Sequence, residues 1–304
     1  MATRYPHVGI VVINWKRPDY TVACLRSLGA LDYPSYQIVV VDNGSENGTP
    51  GLIRDRFPAV KVIENGRNLG FAGGNNIGID HLLQSGADYV LLLNDDTEVA
   101  PDLVRILVQV AESDRRIGIV GPKIYYYDQP DVIWSAGGAV DRFGQARHLR
   151  IDEHEDGSPR TVRDVDYVTG CAMLVRRKLI ERVGPLDERF FAYFEETEWC
   201  ARARRVGFRV VYVSQARMWH KLKAETRGHS RLYQYLMARN RLLYLKCSGA
   251  GPWVISRAAL GLLRTAASWS LRPRHREMRP LSGALVRGVG HFVIGRFGAP
   301  PRSP

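Results

Sequence analysis

Tyr89-Val90-Leu91-Leu92-Leu93-Asn94-Asp95-Asp96-Thr97-Glu98 carries an unbroken apolar run straight into a cluster of carboxylates. A strand that is apolar on both faces belongs inside a parallel sheet covered on both sides. The stretch therefore predicts an α/β fold with acids at the carboxyl end of a central strand. Ligands of open α/β sheets bind in the crevice outside those ends. Carboxylate oxygens there suit a hard divalent cation, Mg²⁺ or Mn²⁺, which takes one or two carboxylates together with substrate phosphates. The same residues also read as a solvated turn before a helix, with Asp or Thr as its cap and Pro101 near its first turn.

Upstream, Val8–Ile13 is a short apolar run ending at Asn14-Trp15-Lys16-Arg17-Pro18. Asp19 is placed to cap a helix that carries Tyr20, Cys24, Leu25 and Leu28 at helical spacing. A second strand, Gln37–Val41, runs into Asp42-Asn43-Gly44-Ser45. Strand, helix and strand in succession predict a βαβ unit and parallel pairing. Asp42 is then at a carboxyl end, where an acid accepts hydrogen bonds from a base or ribose; it also reads as a plain turn former. A third strand, Val60–Ile63, precedes Asn65–Asn76, a glycine-dense stretch read as a loop that lets backbone approach a ligand. A helix over Ile77–Leu83 would follow, and Arg67 is suited to forked hydrogen bonds with a phosphate.

Downstream, Pro101–Ser113 has amphipathic spacing, and Ile117–Val120 reads as a strand ending at Gly121-Pro122-Lys123. Residues 124–166 lose regular alternation and read as a variable loop or hairpin, either framing an acceptor or simply inserted. Tyr167–Val175 reads as a strand or turn with Gly170 at its centre, and Lys178–Val183 as a helix. Then comes a second acidic cluster, Phe190-Phe191-Ala192-Tyr193-Phe194-Glu195-Glu196-Thr197-Glu198. Aromatic residues beside carboxylates raise their pKa and suit one of them for general-base work. The acids equally fit the first turn of a helix, where the macrodipole favours them. Phe208–Val213 reads as a further strand, with His220 shortly after it, and Arg231–Lys246 as a helix.

Charge is uneven. Residues 221–304 hold 16 Lys and Arg against Glu225 and Glu277, a net +14, which leaves −2 for residues 1–220 of the chain's +12. The basic end predicts an anionic partner: a lipid surface, a diphosphate or nucleic acid. Within it, Trp253–Leu271 carries Arg257 and Arg264 centrally, which makes it a poor membrane span and a better interfacial helix, unless it packs on the protein's own core. Residues 272–304, rich in Arg, Gly and Pro, read as loosely ordered. Cys24, Cys171, Cys200 and Cys247 show no paired spacing, which fits a reducing cytoplasm. The strand begun at Val8 leaves no room for a signal peptide ahead of it.

The ordered set Val11–Trp15, Val41–Ser45, Asn68–Asn75, Leu93–Thr97, Gly170–Met173 and Phe190–Glu196 resembles glycosyltransferase family 2, inverting enzymes of the GT-A fold, and most closely its rhamnosyltransferase-like bacterial members. The resemblance spans roughly residues 8–246. It implies a Rossmann-like mixed sheet flanked by helices over 1–246, with a nucleotide-binding half at about 1–122, an acceptor half at about 123–246, and a basic helical tail over 247–304.

The resemblance also implies roles. Asn14 and Asp42 would lie against base and ribose, and Arg67 and Asn75 would line the nucleotide-sugar pocket. Asn94-Asp95-Asp96 matches an Asp-x-Asp metal motif with Asn in the first place, leaving Asp96 as main ligand of Mg²⁺ or Mn²⁺ and Asp95 toward the ribose. His220 would be a further ligand and Arg239 would touch the diphosphate. Glu196 would be the catalytic base, with Glu195 as its competitor. The implied reaction moves a sugar, rhamnose foremost, from a nucleoside-diphosphate sugar to a hydroxyl of a glycan or lipid-linked glycan in cell-surface polysaccharide synthesis. dTDP-rhamnose is the favoured donor, with UDP- and GDP-sugars open. The expected location is the inner face of the cell membrane, on an anionic surface, with no nucleic acid partner and a homodimer left open. Two rival classes are a sugar-nucleotidyltransferase, which would want a Gly-rich N-terminal loop that Val8–Arg17 lacks, and a non-catalytic basic protein binding membrane or nucleic acid.

Overall fold

The computed structural model describes residues 5–157, 160–222 and 230–301. Its first half alternates β1 (Val8–Asn14), α1 (Pro18–Leu28), β2 (Tyr36–Asp42), α2 (Thr49–Arg56), β3 (Lys61–Glu64), α3 (Gly70–Gln84) and β4 (Tyr89–Asn94). A short β5 (Thr97–Val99) and α4 (Leu103–Ser113) lead to β6 (Ile117–Tyr126). Residues 124–166 supply β7 (Ile133–Ser135), the hairpin β8 (Gly138–Val140) with β9 (Ala146–His148), and β10 (Val162–Asp164). The chain closes with β11 (Ala172–Arg176), α5 (Arg177–Val183), α6 (Glu195–Arg205), β12 (Arg209–His220), α7 (Arg231–Cys247), α8 (Pro252–Leu271) and α9 (Arg279–Val293).

Ten strands form one mixed sheet in the order β10-β12-β6-β11-β4-β1-β2-β3, with β5 on β12 and β7 on β6. β3, β2, β1 and β4 run parallel, and β11 lies antiparallel between β4 and β6. The expected α/β architecture with a mixed sheet is present. The chain winds outward from β1 to β3, then returns to place β4 on the other side of β1. That reversal opens a crevice at the carboxyl ends of β1 and β4. Strand residues alternate between two cores. Ile10, Val12, Leu91 and Leu93 face Leu25, Leu28, Leu103 and Leu107 of α1 and α4. Val11, Val90 and Leu92 face Ile79, Leu82, Leu179 and Trp199 of α3, α5 and α6. Both faces are covered, which is why the run from Tyr89 is apolar throughout.

Several elements differ from the sequence reading. The helix expected over Ile77–Leu83 starts at Gly70, so the glycine-dense stretch is largely helical. Its glycines allow close packing: a Cβ on Gly78 would lie 2.6 Å from Val11, and one on Gly70 would lie 2.3 Å from the carbonyl oxygen of Phe191. β6 does not stop at Val120 but runs on through Gly121 and Pro122, buried along its length. β12 extends beyond Val213 to His220 through an irregularity at Val213–Arg217. α1 opens with Pro18 in its first turn and no side-chain cap, with Asp19 inside it. α2 has no counterpart in the sequence reading.

The C-terminal part is also more ordered than expected. Through residue 301, the stretch read as loose contains α9, which packs along α7 and α8. Leu281, Ala284, Leu285 and Val289 bury one face of α9, and Gly298 exchanges hydrogen bonds with Arg189 and Arg239. Residues 302–304 lie outside the described residues.

Candidate active site

Asp95 and Asp96 form the turn between β4 and β5. β12 pairs with β5 antiparallel and sets His220 opposite Thr97, so its imidazole meets the preceding acid. His220 Nε2 lies 3.0 Å from Asp96 Oδ1, and Arg17 Nη1 donates to Asp96 Oδ2 at 2.8 Å. Burial raises the Asp96 pKa, but His220 and Arg17 overcome it and hold the carboxyl at about 2. Asp95 goes the other way: burial, and then repulsion from Asp96, lift it to about 7. Two adjacent acids are thereby given different protonation behaviour by their neighbours.

Asn14 and Asp42 end the paired strands β1 and β2, facing one another in register. Asn14 Nδ2 donates to Asp42 Oδ1 at 2.5 Å and to Ser45 Oγ at 3.0 Å, while its Oδ1 accepts from Thr21 Oγ1 at 2.9 Å. Ser45 also donates its backbone N–H to Asp42 Oδ2. All four side chains are buried, so the network fixes the Asp42 carboxylate in one orientation.

The second acidic cluster opens α6. Phe191, Tyr193 and Phe194 have φ of 66°, 68° and 74°, three left-handed positions that cost energy for residues with a side chain. Its carbonyls are held from behind. Asn240 Nδ2 lies within donor distance of the oxygens of Phe190 at 2.9 Å and of Ala192 and Tyr193 at 2.8 Å. Arg239 Nη2 adds bonds to Phe190 and Arg189. In front, the Phe191 carbonyl accepts from Ala72 N–H in the first turn of α3. The fold thus clamps a strained segment so that Glu195 and Glu196 enter the first turn of α6, whose free N–H groups favour carboxylates.

Glu195 is buried and Glu196 half-buried. Burial, and then the neighbouring Glu196, push Glu195 well above the ordinary carboxylate range. Burial lifts Glu196 to about 7 against hydrogen bonds from the helix start. Gly170 and Cys171 join the two acidic clusters. Cys171 O accepts from Asn94 N–H at 3.1 Å. A Cβ on Gly170 would lie 3.5 Å from Cβ of Glu196. After burial, the charges of Asp96 and Glu196 both push the Cys171 thiol upward. The end of β4 and the start of α6 are therefore neighbours across Gly170 and Cys171.

The structure brings together Asn14, Asp42, Asp95, Asp96 and His220 at strand ends, and sets the start of α6, with Glu195 and Glu196, beside Gly170. Asn75 is fully buried in α3, with Nδ2 on the carbonyl of Phe71. Arg67 is exposed, and its main chain lies against Gly44 in the loop after β2. Arg239, expected at the diphosphate, is instead committed to protein atoms. It is fully buried, with its donors on Asn240, Tyr235, Gly298, Arg189 and Phe190, so it braces the loop before α6. Two contributors had no role in the sequence reading. Arg17, at the carboxyl end of β1, was legible as a cation beside a strand end. Asn240 gave no signal, because its partners are backbone atoms 47 to 50 residues away.

Among the described residues, no three His, Cys, Asp or Glu side chains converge on one point. Asp96 and His220 offer two ligands. Around them Asn94 Oδ1, Asp95 Oδ2 and His220 Nδ1 are buried without a hydrogen-bond partner among the described residues, as are Asn75 Oδ1, Glu195 Oε2 and Glu196 Oε2. Buried polar atoms in proteins are nearly always bonded, so such a concentration marks a place built for other polar groups. This donor set fits a cation whose shell is completed by phosphate and water.

Residues 6–242 match the family described as glycosyltransferase like family 2. A hexosyltransferase of low-salt glycan biosynthesis from Haloferax volcanii is 29% identical over 244 residues, covering 79% of this chain and 76% of that protein. The N-acetylglucosaminyl-diphospho-decaprenol L-rhamnosyltransferase of Mycobacterium tuberculosis is 26% identical over 254 residues, covering 78% of this chain and 82% of that protein. The fold is similar to that of a mannosyltransferase from Pyrobaculum calidifontis solved with GDP-Man and Mn²⁺, with a TM-score of 0.60 at 17% identity over 97% of this chain and 89% of that one. The chain belongs to glycosyltransferase family 2 and is a glycosyltransferase of the GT-A fold.

Proposed function

We propose that the chain transfers a sugar, rhamnose foremost, from a nucleoside-diphosphate sugar to a hydroxyl of a lipid-linked glycan with inversion at the anomeric carbon. The observation that carries this reading is the adjacency of the two acidic clusters through Gly170 and Cys171: Cys171 O accepts from Asn94 at the head of the Asp95–Asp96 turn, and Gly170 lies against Glu196. One acid cluster serves the donor and the other the acceptor.

Asp42, fixed by Asn14 and Ser45, presents its carboxylate to the nucleoside. Asp96 and His220 would hold a divalent cation, for which Mn²⁺ in the related mannosyltransferase structure is the support. When bound, Mg²⁺ or Mn²⁺ would neutralise charge on the diphosphate oxygens as a Lewis acid. Arg17, rather than Arg239, is the cation placed to share that task. Glu196 takes the proton of the acceptor hydroxyl. The hydroxyl oxygen forms its bond to the anomeric carbon from the face opposite the diphosphate, which leaves with the electron pair of the broken C–O bond. Glu196 is the less buried of the two acids, which favours it over Glu195 as the group that meets the acceptor.

Rhamnose and a lipid-diphosphate acceptor are supported by the mycobacterial relative, which carries both in its name. The test is transfer of label from dTDP-rhamnose, and from UDP- and GDP-linked sugars, to a polyprenyl-diphosphate N-acetylglucosamine acceptor with Mn²⁺ present. Transfer from dTDP-rhamnose alone supports the reading, and transfer from another donor alone replaces rhamnose.

A further inference from the structure

The outer side of α8 is amphipathic in an unusual sense. Trp253, Arg257, Leu260, Arg264 and Leu271 recur at helical spacing and are all exposed. The inner side, with Ile255, Ala258, Leu262, Ala266 and Trp269, packs against the rest of the protein. Apolar and guanidinium groups therefore share the outward stripe. Trp253 is 63% exposed and Leu271 76%. α9 repeats the pattern, with Val286, Arg287, Val293 and Ile294 outward, the last two 73% and 71% exposed. Residues 247–304 contain nine arginines, no lysine and a single acid, Glu277. Among the described residues, Arg257, Arg264, Arg272, Arg276 and Arg279 form no salt bridge.

We infer that the exposed sides of α8 and α9 dock on an anionic lipid surface. Large apolar side chains left in water favour insertion into the acyl boundary, and arginines interleaved with them meet the anionic headgroups. No described helix is long and apolar enough to cross a membrane, so the helices lie on it. A second copy of the chain would bring the same positive face against itself, with Glu277 as its one acid. Nucleic acid would answer the arginines but leave Leu271, Val293 and Ile294 in water. The face is mechanically joined to the catalytic side: Gly298, just past α9, donates to Arg189 O and accepts from Arg239, which also holds the Phe190 carbonyl ahead of Glu195. Docking would thus hold the Glu195–Glu196 loop at a set height above the bilayer.

The test is flotation of the full chain with vesicles of phosphatidylcholine alone and of phosphatidylcholine mixed with phosphatidylglycerol. The wild-type chain should bind the anionic vesicles only, and added salt should release it. Each arginine near such a surface contributes about fivefold, so Arg257→Gln with Arg264→Gln should weaken binding roughly 30-fold. Trp253→Ser with Leu271→Ser should weaken it as well, at unchanged melting temperature and unchanged nucleotide binding. Equal binding of wild type and both double variants would overturn the proposal. So would a chain that ignores vesicles and forms a dimer broken by Leu271→Ser, or one that prefers an oligonucleotide to anionic vesicles. Vesicle binding needs no turnover, so failure here leaves the transferase reading standing.

Discussion

His220 Nε2 sits 3.0 Å from Asp96 Oδ1, although 124 residues separate them in the chain. The pair exists because β12 runs past the sheet core to meet β5, the strand that follows the acidic turn. An acid read from one motif and a histidine read with little local support become direct neighbours.

His220→Ala should therefore raise the Mn²⁺ concentration needed for half-maximal transfer by about tenfold or more, with the protein still folded. A Mn²⁺ titration of initial rates checks this. An unchanged midpoint would remove His220 from the ligand set.

Glu196→Gln should leave donor binding intact and lower kcat/KM by about 10²–10⁴-fold, the range for loss of a general base. Glu195→Gln should cost much less. The reverse order would move the base to Glu195.

Elevation of the Glu196 pKa to about 7 fixes the sign of a pH effect. The base must be ionised, so kcat/KM should climb with pH up to about 7 and level off above it. The limb should vanish in Glu196→Gln. The same elevation favours the folded state while the carboxyl is protonated. That contribution is full below the ordinary carboxylate pKa of 4.5 and is lost as pH rises through about 7.

Asn240→Leu removes the amide that spans the carbonyls of Phe190, Ala192 and Tyr193. The Phe190 carbonyl keeps Arg239, but those of Ala192 and Tyr193 lose their donor, at a cost of up to about 1–3 kcal/mol each, and the segment before α6 loses its brace. The expected result is a lower melting temperature together with a fall in kcat larger than any change in donor affinity. A variant that melts early but turns over normally when folded would show that the clamp does not position the carboxylates.

Much of this was legible because strand ends announce themselves. The apolar runs into Asn14, Asp42 and Asp95 placed three parts of the site on one edge of a parallel sheet. Gly70 to Gly78 misled because glycine is a poor helix former, whereas here its small size lets α3 press on β1 and on Phe191. Arg239 misled for the opposite reason: an arginine in a motif suggests a phosphate, and only tertiary structure reveals five donors committed to protein atoms. The extent of β6 and β12 was hidden because Gly121-Pro122 and Ser214–Arg217 interrupt the apolar pattern while the pairing continues. The order of α9 depends on a partner, α7, which begins 48 residues earlier, and not on its own composition.

A metal-assisted nucleotide-sugar site anchored on Asp96 would couple nucleotide binding to the metal. Its most direct test is a thermal-shift comparison of wild type and Asp96→Ala with dTDP, UDP, GDP and their sugars, with and without Mn²⁺. A ligand at a hundred times its Kd stabilises the native state by about 2.7 kcal/mol. The expected result is a shift with one nucleotide class, dTDP foremost, that needs Mn²⁺ and disappears in Asp96→Ala. A shift of equal size without metal and in Asp96→Ala, or none with any nucleotide, would contradict it.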